Sequence, residues 1–247
     1  MFDAEIRDGV LRMRREGARW LSTGWAGGRR TADAAYNVSV PEGFERTDLD
    51  AYLAERRERA GYAASGPALF TGVELQHARG ARCGSVVAVA TAGVSNPAAL
   101  PMDPDSDAQR AESAPPGADS AVGTVNVLVA TERALADGAL ANLLAVAAEA
   151  KTATLLAETG FPGTTTDAVV VGCDPAGEEA AFSGSATDVG ASARACVREA
   201  VRASLASRYG DATDATIPES VADAEHGVST DRRATVFDPT DANGKIA

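Results

Sequence analysis

The chain alternates between short and long apolar runs, and their lengths separate predicted strands from predicted helices. Short runs rich in valine and alanine predict buried strands at Ser85–Thr91, Thr124–Ala130 and Ala168–Gly172. Longer apolar stretches predict helices from Asp137 to about Glu158 and from Ser185 to about Arg208. The second of these opens on a Ser-Ala-Thr-Asp segment that resembles a capping box.

The N-terminal third is less regular. Met1–Glu16 is charged and compatible with a helical arm, whereas Arg19–Trp25 and Ala32–Val40 are predicted as strands around a Gly-Gly-Arg-Arg turn. A helix is predicted from Asp48, which can cap it, to about Ala60. Pro67–Leu75 suits either a strand or a short helix.

The order of these elements is neither strict strand–helix alternation nor all-β. It predicts an α/β (α+β) fold, in which a mixed, largely antiparallel sheet is packed with helices as a single-domain sandwich. The strand–helix–strand step over 124–172 allows one parallel crossover. We expect one domain over 1–210 with an acidic surface loop at 100–121, followed by an acidic, partly disordered tail at 211–247.

The charge composition is acidic. The 247 residues include 35 acidic and 23 basic side chains, a net charge of −12, and only Lys151 and Lys245 are lysines. This composition resembles that of salt-accumulating halophiles, in which molar salt shortens the Debye length to about 3 Å and screens self-repulsion. An acidic protein from a GC-rich genome is the alternative. In either case the absence of a basic stripe argues against a nucleic-acid partner.

The sequence gives little indication of membrane association, secretion or a bound cofactor. No apolar run approaches the ~18 residues of a membrane span and the first residues do not resemble a signal peptide, so we expect no membrane association. Three widely spaced cysteines suit a reducing cytoplasm rather than a disulfide framework. With only two histidines, we expect no metal and no other cofactor. Whether the chain forms a homo-oligomer is left open.

Three polar clusters interrupt this apolar pattern. They are Thr91–Asn96 after a strand, Glu149–Thr152 inside a helix, and Thr164–Asp167 before a strand. A polar group that leaves water without a partner costs about 1–3 kcal/mol. The clusters therefore predict one shared polar site.

Three ionisable residues are the candidate catalytic groups. Lys151 lies on an apolar stripe of its helix, where a compact ammonium has an adjustable pKa, although a lysine snorkelling from the helix rim is the alternative. Asp167 enters a buried strand and could accept or orient a proton, unless it is only a turn residue. Glu149 could act as a base, but it lies about 200° around the helix from Lys151 and cannot pair with it within the helix; a solvated carboxylate is equally compatible.

Hydroxyl and amide side chains near these clusters could bind a substrate carbonyl or its oxyanion. The candidate substrate-binding residues are Thr91, Ser95, Asn96, Asn126, Thr131, Thr165, Ser183 and Ser185. Turn formation, strand satisfaction and helix capping are the structural alternatives for them. Nucleophilic roles stay open for Thr91, Thr131 and Thr165, whereas Cys83 and Cys173 have no histidine near them in sequence and suit packing.

Six stretches together resemble the adenosylcobinamide amidohydrolase family of corrinoid salvage. They are Arg19–Val40, Thr91–Pro97 (TAGVSNP), Gly123–Thr131 (GTVNVLVAT), Ala148–Leu155 (AEAKTATL), Thr164–Val171 (TTTDAVVV) and Phe182–Gly190 (FSGSATDVG). The resemblance implies hydrolysis of the aminopropanol amide of adenosylcobinamide, a corrinoid, to adenosylcobyric acid. A non-catalytic corrinoid- or small-ligand-binding protein, and an amidase with a Thr or Cys nucleophile, are the rival hypotheses.

Overall fold

The computed structural model describes residues 1–103, 123–210 and 214–239. The strands in chain order are β1 Asp3–Arg7, β2 Val10–Arg14, β3 Arg19–Ser22, β4 Gly28–Thr31, β5 Ala34–Ser39, β6 Ala68–Thr71, β7 Arg79–Cys83, β8 Val86–Ala92, β9 Pro97–Ala99, β10 Val125–Thr131, β11 Ala134–Leu135, β12 Gly163–Thr164, β13 Ala168–Cys173, β14 Glu179–Ala180 and β15 Val228–Ser229. The α-helices are α1 Leu49–Arg59, α2 Asp137–Thr159 and α3 Asp188–Tyr209, and short 3-10 helices cover Leu75–His77 and Val221–Asp223.

Two sheets and the helices stack in four layers. A four-stranded sheet has the order β1-β2-β5-β6, and a six-stranded sheet has the order β4-β3-β13-β10-β8-β7. Helix α1 covers the outer face of the smaller sheet, and Leu11, Trp20 and Leu128 pack between the sheets. Helices α2 and α3 cover the outer face of the larger sheet. The predicted α+β fold with a mixed, largely antiparallel sheet is confirmed.

The central strands are buried on both faces, which explains their continuous apolar sequence. Along β10, Val127 and Val129 face the helices, whereas Leu128 faces the smaller sheet. β10 pairs with β13 in parallel and with β8 in antiparallel orientation. Because α2 connects β10 to β13, the predicted parallel crossover is confirmed.

The N-terminal segment is a β-hairpin, so the prediction of a helical arm over Met1–Glu16 is wrong. β1 and β2 pair in antiparallel orientation, and the turn between them places Asp8 at φ 45° and Gly9 at φ 69°. An Asp-Gly pair with two positive φ values is the preferred two-residue hairpin turn. Leu11 and Met13 are buried between the sheets, and this burial outweighs the helix propensity of the charged residues.

Two edge strands do not show the apolar sequence pattern from which the central strands were predicted. β4 pairs with β3 and β7 pairs with β8 at the two edges of the six-stranded sheet, and both are mostly exposed. β4 occupies the stretch predicted as a turn, and β5 belongs to the other sheet. Edge strands are set by pairing with a neighbour, so their own sequence carries little apolar signal.

Two predicted helix caps differ from those observed. Thr187, not Ser185, caps α3, because the Thr187 hydroxyl accepts a bond from the Gly190 N–H at 3.1 Å. Asp48 does precede α1, but its side chain makes no capping bond and is paired with Arg46 instead. The ends of α2 agree with prediction, with Gly160 in the left-handed conformation at φ 77° after its last residue.

Two predicted segments fall partly outside the described residues. The acidic loop at 100–121 is described only to residue 103, and the tail only over 214–239. Within the tail, Val221 is buried in a 3-10 helix and β15 pairs in parallel with β9. The tail strand was not predicted, because its pairing partner lies about 130 residues earlier in the chain.

Helix α2 is an apolar helix in the outer layer that covers the larger sheet. With 23 residues it is long and apolar enough to cross a membrane by composition. It instead packs on β13 and α3 and buries Leu140, Leu143 and Leu155. These contacts are those of a core helix.

Candidate functional site

Three neighbouring central strands bring polar residues to one end of the six-stranded sheet, where β8 ends and β10 and β13 begin. We call this end of the strands the site edge. Asn126 near the start of β10 pairs with Thr91 near the end of β8 and with Ala168 at the start of β13. Asp167 therefore lies one residue from this register. The segments 93–96 and 163–167 both leave the sheet at the site edge.

Lys151 and Asp167 form a buried ion pair at the site edge. Lys151 Nζ donates to Asp167 Oδ2, with only 8% and 13% of the two side chains exposed. Helix α2 supplies the lysine from the layer above the sheet, and Val169, two residues after Asp167, faces the same layer. The snorkelling alternative for Lys151 is therefore wrong.

The Asp167 carboxylate accepts hydrogen bonds at both oxygens. Oδ1 accepts from the Val125 N–H at 2.8 Å and from the Thr164 hydroxyl, and Oδ2 accepts from the Thr164 N–H at 3.1 Å as well as from Lys151. A carboxylate has about four lone-pair positions. Four donors fill them, so Asp167 can accept a proton from water only after one donor has moved away. In this geometry the carboxylate ties α2, β10 and the loop before β13 together.

Asn96 is a second junction at the site edge. Its backbone oxygen accepts from the Thr165 N–H at 3.1 Å, and its Oδ1 accepts from the His226 N–H at 3.1 Å. Gly123 packs so closely that a Cβ there would lie 2.4 Å from Asn96 N. Asn96 is itself 2% exposed. Asn96 is therefore a buried contact point for the segments that contain Thr165, His226 and Gly123, and does not face solvent.

Hydroxyl groups surround this junction. The Thr166 hydroxyl donates to the Gly123 carbonyl at 3.1 Å, the Thr164 hydroxyl oxygen lies 2.8 Å from the same carbonyl, and the Thr124 and Thr166 hydroxyls are 3.0 Å apart. Thr124 and Thr164 are buried, whereas Ser95, Thr165 and Thr166 are exposed residues on the same two loops. The hydroxyls of Thr164 and Thr166 are engaged in holding the loops, and those of Ser95 and Thr165 are the candidates for hydrogen bonds to a substrate carbonyl.

Thr91 and Asn126 lie on the opposite face of the sheet from Lys151. Asn126 donates to Asn37 Oδ1 at 3.0 Å and to the Phe70 carbonyl at 2.9 Å, and Asn37 donates to Thr91 Oγ1 at 2.9 Å. All three polar side chains are fully buried between the two sheets. The predicted single cluster is thus divided by the sheet, and Thr91 and Asn126 join the sheets at the site edge.

Glu149 lies outside the Lys151–Asp167 cluster. Its side chain is 63% exposed and faces Arg194 of α3 at 3.5 Å. The rotation along α2 that separates it from Lys151 places it on the solvent side of the helix. The structure favours the solvated-carboxylate alternative for this residue.

Three predicted binding residues lie elsewhere. Thr131 ends β10 at the opposite end of the strands, roughly 17 Å from Asn126 at about 3.3 Å per residue, and its hydroxyl is hydrogen-bonded to that of Ser85 at 3.2 Å. Ser183 is buried and donates to the Ala139 carbonyl near the start of α2 at 2.5 Å. Ser185 is exposed and lines a groove between α2 and α3. Strand direction and helix length separate these residues from the site edge.

The two buried cysteines are not activated thiols. Burial raises the pKa of the Cys173 thiol, and burial raises that of Cys196 to about 11. Cys83 is exposed, and all three thiols are free. Among the described residues, no three His, Cys, Asp or Glu side chains are arranged to hold a metal ion.

A cleft of about 730 Å³ opens beside the site edge. Its walls come from the ends of the parallel strands β5 and β6, from α1, and from Arg208 of α3. Arg208 Nε lies 3.5 Å from the place that a Cβ on Gly93 would occupy, so the cleft adjoins the loop that carries Ser95. Small-molecule sites usually measure about 300–1,000 Å³.

Sequence reasoning missed two residues of this region. Asn37 interrupts the apolar run of β5, and that interruption was an available signal for a buried polar contact. His226 lies in the tail, where neither periodicity nor motif points to the site. Only its bond to Asn96 places it there.

Comparisons with known proteins agree on one family. A family model described as adenosylcobinamide amidohydrolase matches residues 2–213. A protein named adenosylcobinamide amidohydrolase from Halobacterium salinarum is 58% identical over 245 residues, covering 97% of this chain and 100% of the relative. A protein of the same name from Methanosarcina mazei is 29% identical over 196 residues, covering 75% of this chain and 88% of the relative.

Proposed function

The chain belongs to the adenosylcobinamide amidohydrolase family, and from this premise we propose that it hydrolyses the aminopropanol amide of adenosylcobinamide in cobinamide salvage for coenzyme B12 synthesis. Water forms a new C–O bond at the amide carbonyl carbon and the C–N bond breaks. One water proton goes to the departing amine, giving aminopropanol and adenosylcobyric acid. The 58% identity to the Halobacterium salinarum relative, over 97% of this chain, carries the proposal.

The site edge supplies groups suited to amide hydrolysis. The exposed hydroxyls of Ser95 and Thr165 lie on the two loops joined by Asn96. Donors aimed at a developing oxyanion are among the strongest contributions to acyl-transfer catalysis. We assign the substrate carbonyl to these loops and the corrin periphery to the adjoining cleft.

The Lys151–Asp167 pair has a positioning role in this proposal. The carboxylate holds both Thr164, at the start of the Thr165 loop, and Val125, at the start of β10. Loss of the pair moves the loop hydroxyls relative to each other, and small displacements of catalytic groups are costly. Of the threonines considered as nucleophiles, Thr165 is exposed, whereas Thr91 and Thr131 are buried and hydrogen-bonded.

The direct test incubates the purified full chain with adenosylcobinamide and follows the products by mass spectrometry. We expect equal amounts of aminopropanol and adenosylcobyric acid. Lys151→Ala and Asp167→Asn should lower kcat by at least about tenfold, if displaced loops cost about 1.4 kcal/mol in the transition state. Glu149→Gln is the matched carboxylate control and should keep wild-type kcat.

The same experiment separates the rival functions. Binding of adenosylcobinamide without a new carboxylate would replace the proposal with a corrinoid-binding protein. A covalent adduct trapped on Thr165 would replace direct water attack with a threonine nucleophile. The three unpaired cysteines support a cytoplasmic location, which cell fractionation can test.

A further inference from the structure

The segment over 217–230, which we call the C-terminal strap, is anchored at its start. Val221 is 6% exposed and packs with Ile217 against the main core. Ser220 and Asp223 cap each other reciprocally around the 3-10 helix. Gly227 turns so tightly that a Cβ there would lie 2.6 Å from the Val221 carbonyl oxygen. These contacts fix the path of the strap across the site edge.

The second half of the strap binds the loop that carries the site. Val228 pairs with Ala98 of β9, and the Thr230 N–H donates to the Ala99 carbonyl at 3.0 Å. The His226 N–H donates to Asn96 Oδ1 at 3.1 Å. β9 also pairs with β12, whose Thr164 carries the bonds to Asp167. The strap is therefore the outer strand of the small sheet that shapes the site.

The contact with Asn96 lies close to the exposed hydroxyls. Asn96 is adjacent to Ser95 in sequence and accepts the Thr165 N–H. The His226 N–H therefore helps to set the position of the two loops assigned to the substrate carbonyl. The His226 side chain is itself 31% exposed beside Glu225.

We infer that the C-terminal strap is an accessory wall of the substrate site that strengthens corrinoid binding by holding Asn96. This inference rests on the proposed function. The family model ends at residue 213, so the strap lies outside the region that the model matches. The catalytic groups assigned above all lie within the matched region, so we place the contribution of the strap in substrate binding and not in bond cleavage. Loss of a strap contact should therefore raise KM and Kd by more than it lowers kcat, because the Lys151–Asp167 pair still holds the loop of Thr165.

The test compares proline substitutions in the full chain. His226→Pro removes the N–H that holds Asn96, and Thr230→Pro removes the N–H that binds Ala99. Glu225→Pro is the matched control, because the Glu225 N–H makes no hydrogen bond to any residue that the structure describes and Ala224 has ψ 138°, which suits a following proline. A hydrogen bond contributes about 0.5–1.5 kcal/mol, so we expect KM and Kd to rise roughly three- to tenfold in the two strap variants.

Kd for adenosylcobinamide is measured by calorimetry, KM and kcat by product release, and integrity by thermal unfolding. Strap variants with the same KM and Kd as Glu225→Pro would overturn the inference. A fall in kcat at unchanged KM in His226→Pro would also overturn it, because the segment would then act in the chemical step. If His226→Pro does not fold, Thr230→Pro decides. If the wild type binds adenosylcobinamide but does not hydrolyse it, the proposed function is refuted. The Kd values of the wild type and the three proline variants still decide whether the strap strengthens binding.

Discussion

Asp167→Asn is the sharpest perturbation of the site edge. Asparagine keeps the size of the side chain but removes its charge and replaces one acceptor oxygen with an NH₂ group. That group would face donors, since Lys151, the Val125 N–H, the Thr164 N–H and the Thr164 hydroxyl all point at the present carboxylate. The Lys151 ammonium would stay buried without its partner.

The expected cost follows from burial. Removing one partner of a buried ion pair destabilises a protein by about 3–5 kcal/mol. Because 13% of the Asp167 side chain is exposed and water can reach it, we expect a value near the lower end, about 3 kcal/mol. Urea unfolding at fixed salt, analysed by linear extrapolation, measures this difference in the free energy of unfolding.

The matched control is Glu149→Gln on the same helix α2. Glu149 is 63% exposed and 3.5 Å from Arg194, so its loss should cost less than about 0.5 kcal/mol. Lys151→Met combined with Asp167→Asn should be less destabilising than the sum of the single variants, because no unpaired ammonium is left. The buried-pair reasoning would be refuted if Asp167→Asn lowered the free energy of unfolding no more than Glu149→Gln does. It would also be refuted if the loss in the double variant equalled the sum of the losses in the two single variants.

Three further predictions follow from other parts of the structure. The free energy of unfolding should rise with KCl concentration, because the net charge of −12 is screened; a flat or falling urea midpoint would contradict this. Asn37→Leu leaves the buried side chains of Thr91 and Asn126 without a partner, so it should lower the free energy of unfolding by about 1–3 kcal/mol for each of them. A loss below about 0.5 kcal/mol in total would contradict a stabilising role of these hydrogen bonds. Iodoacetamide should alkylate the exposed Cys83 of the native protein near neutral pH, but not the buried Cys196. Burial raises the pKa of Cys196 to about 11, so this residue stays a thiol until the pH approaches that value. Peptide mapping identifies the modified cysteine, and modification of Cys196 before Cys83 would contradict the prediction.

The central architecture could be predicted because burial leaves a strong pattern. β8, β10 and β13 are buried on both faces, so each is a continuous apolar run, and α2 is apolar around most of its surface. The edge strands β4 and β7 have mixed, exposed sequences. Pairing with an already formed neighbour determines them, and pairing is not encoded in their own periodicity.

The candidate site was predictable in part. Lys151 and Asp167 stood out because each is an ionisable group in an apolar surrounding, and the structure pairs them. Asn126 is a polar residue within an apolar strand, and strand alternation places it on the face opposite Asp167. Glu149 was a candidate base on the other side of the helix from Lys151, and the structure places its carboxylate on the solvent side beside Arg194.

The sequence by itself determined which segments are buried and which polar residues are unusual there, because apolar periodicity and an isolated charge are local properties. Only the tertiary structure decided that Lys151 meets Asp167, that Asn37 joins the two sheets, and that His226 reaches Asn96 across about 130 residues of chain. These contacts depend on how layers stack and in which register distant strands pair. Packing of the whole chain sets both, and no local pattern records them.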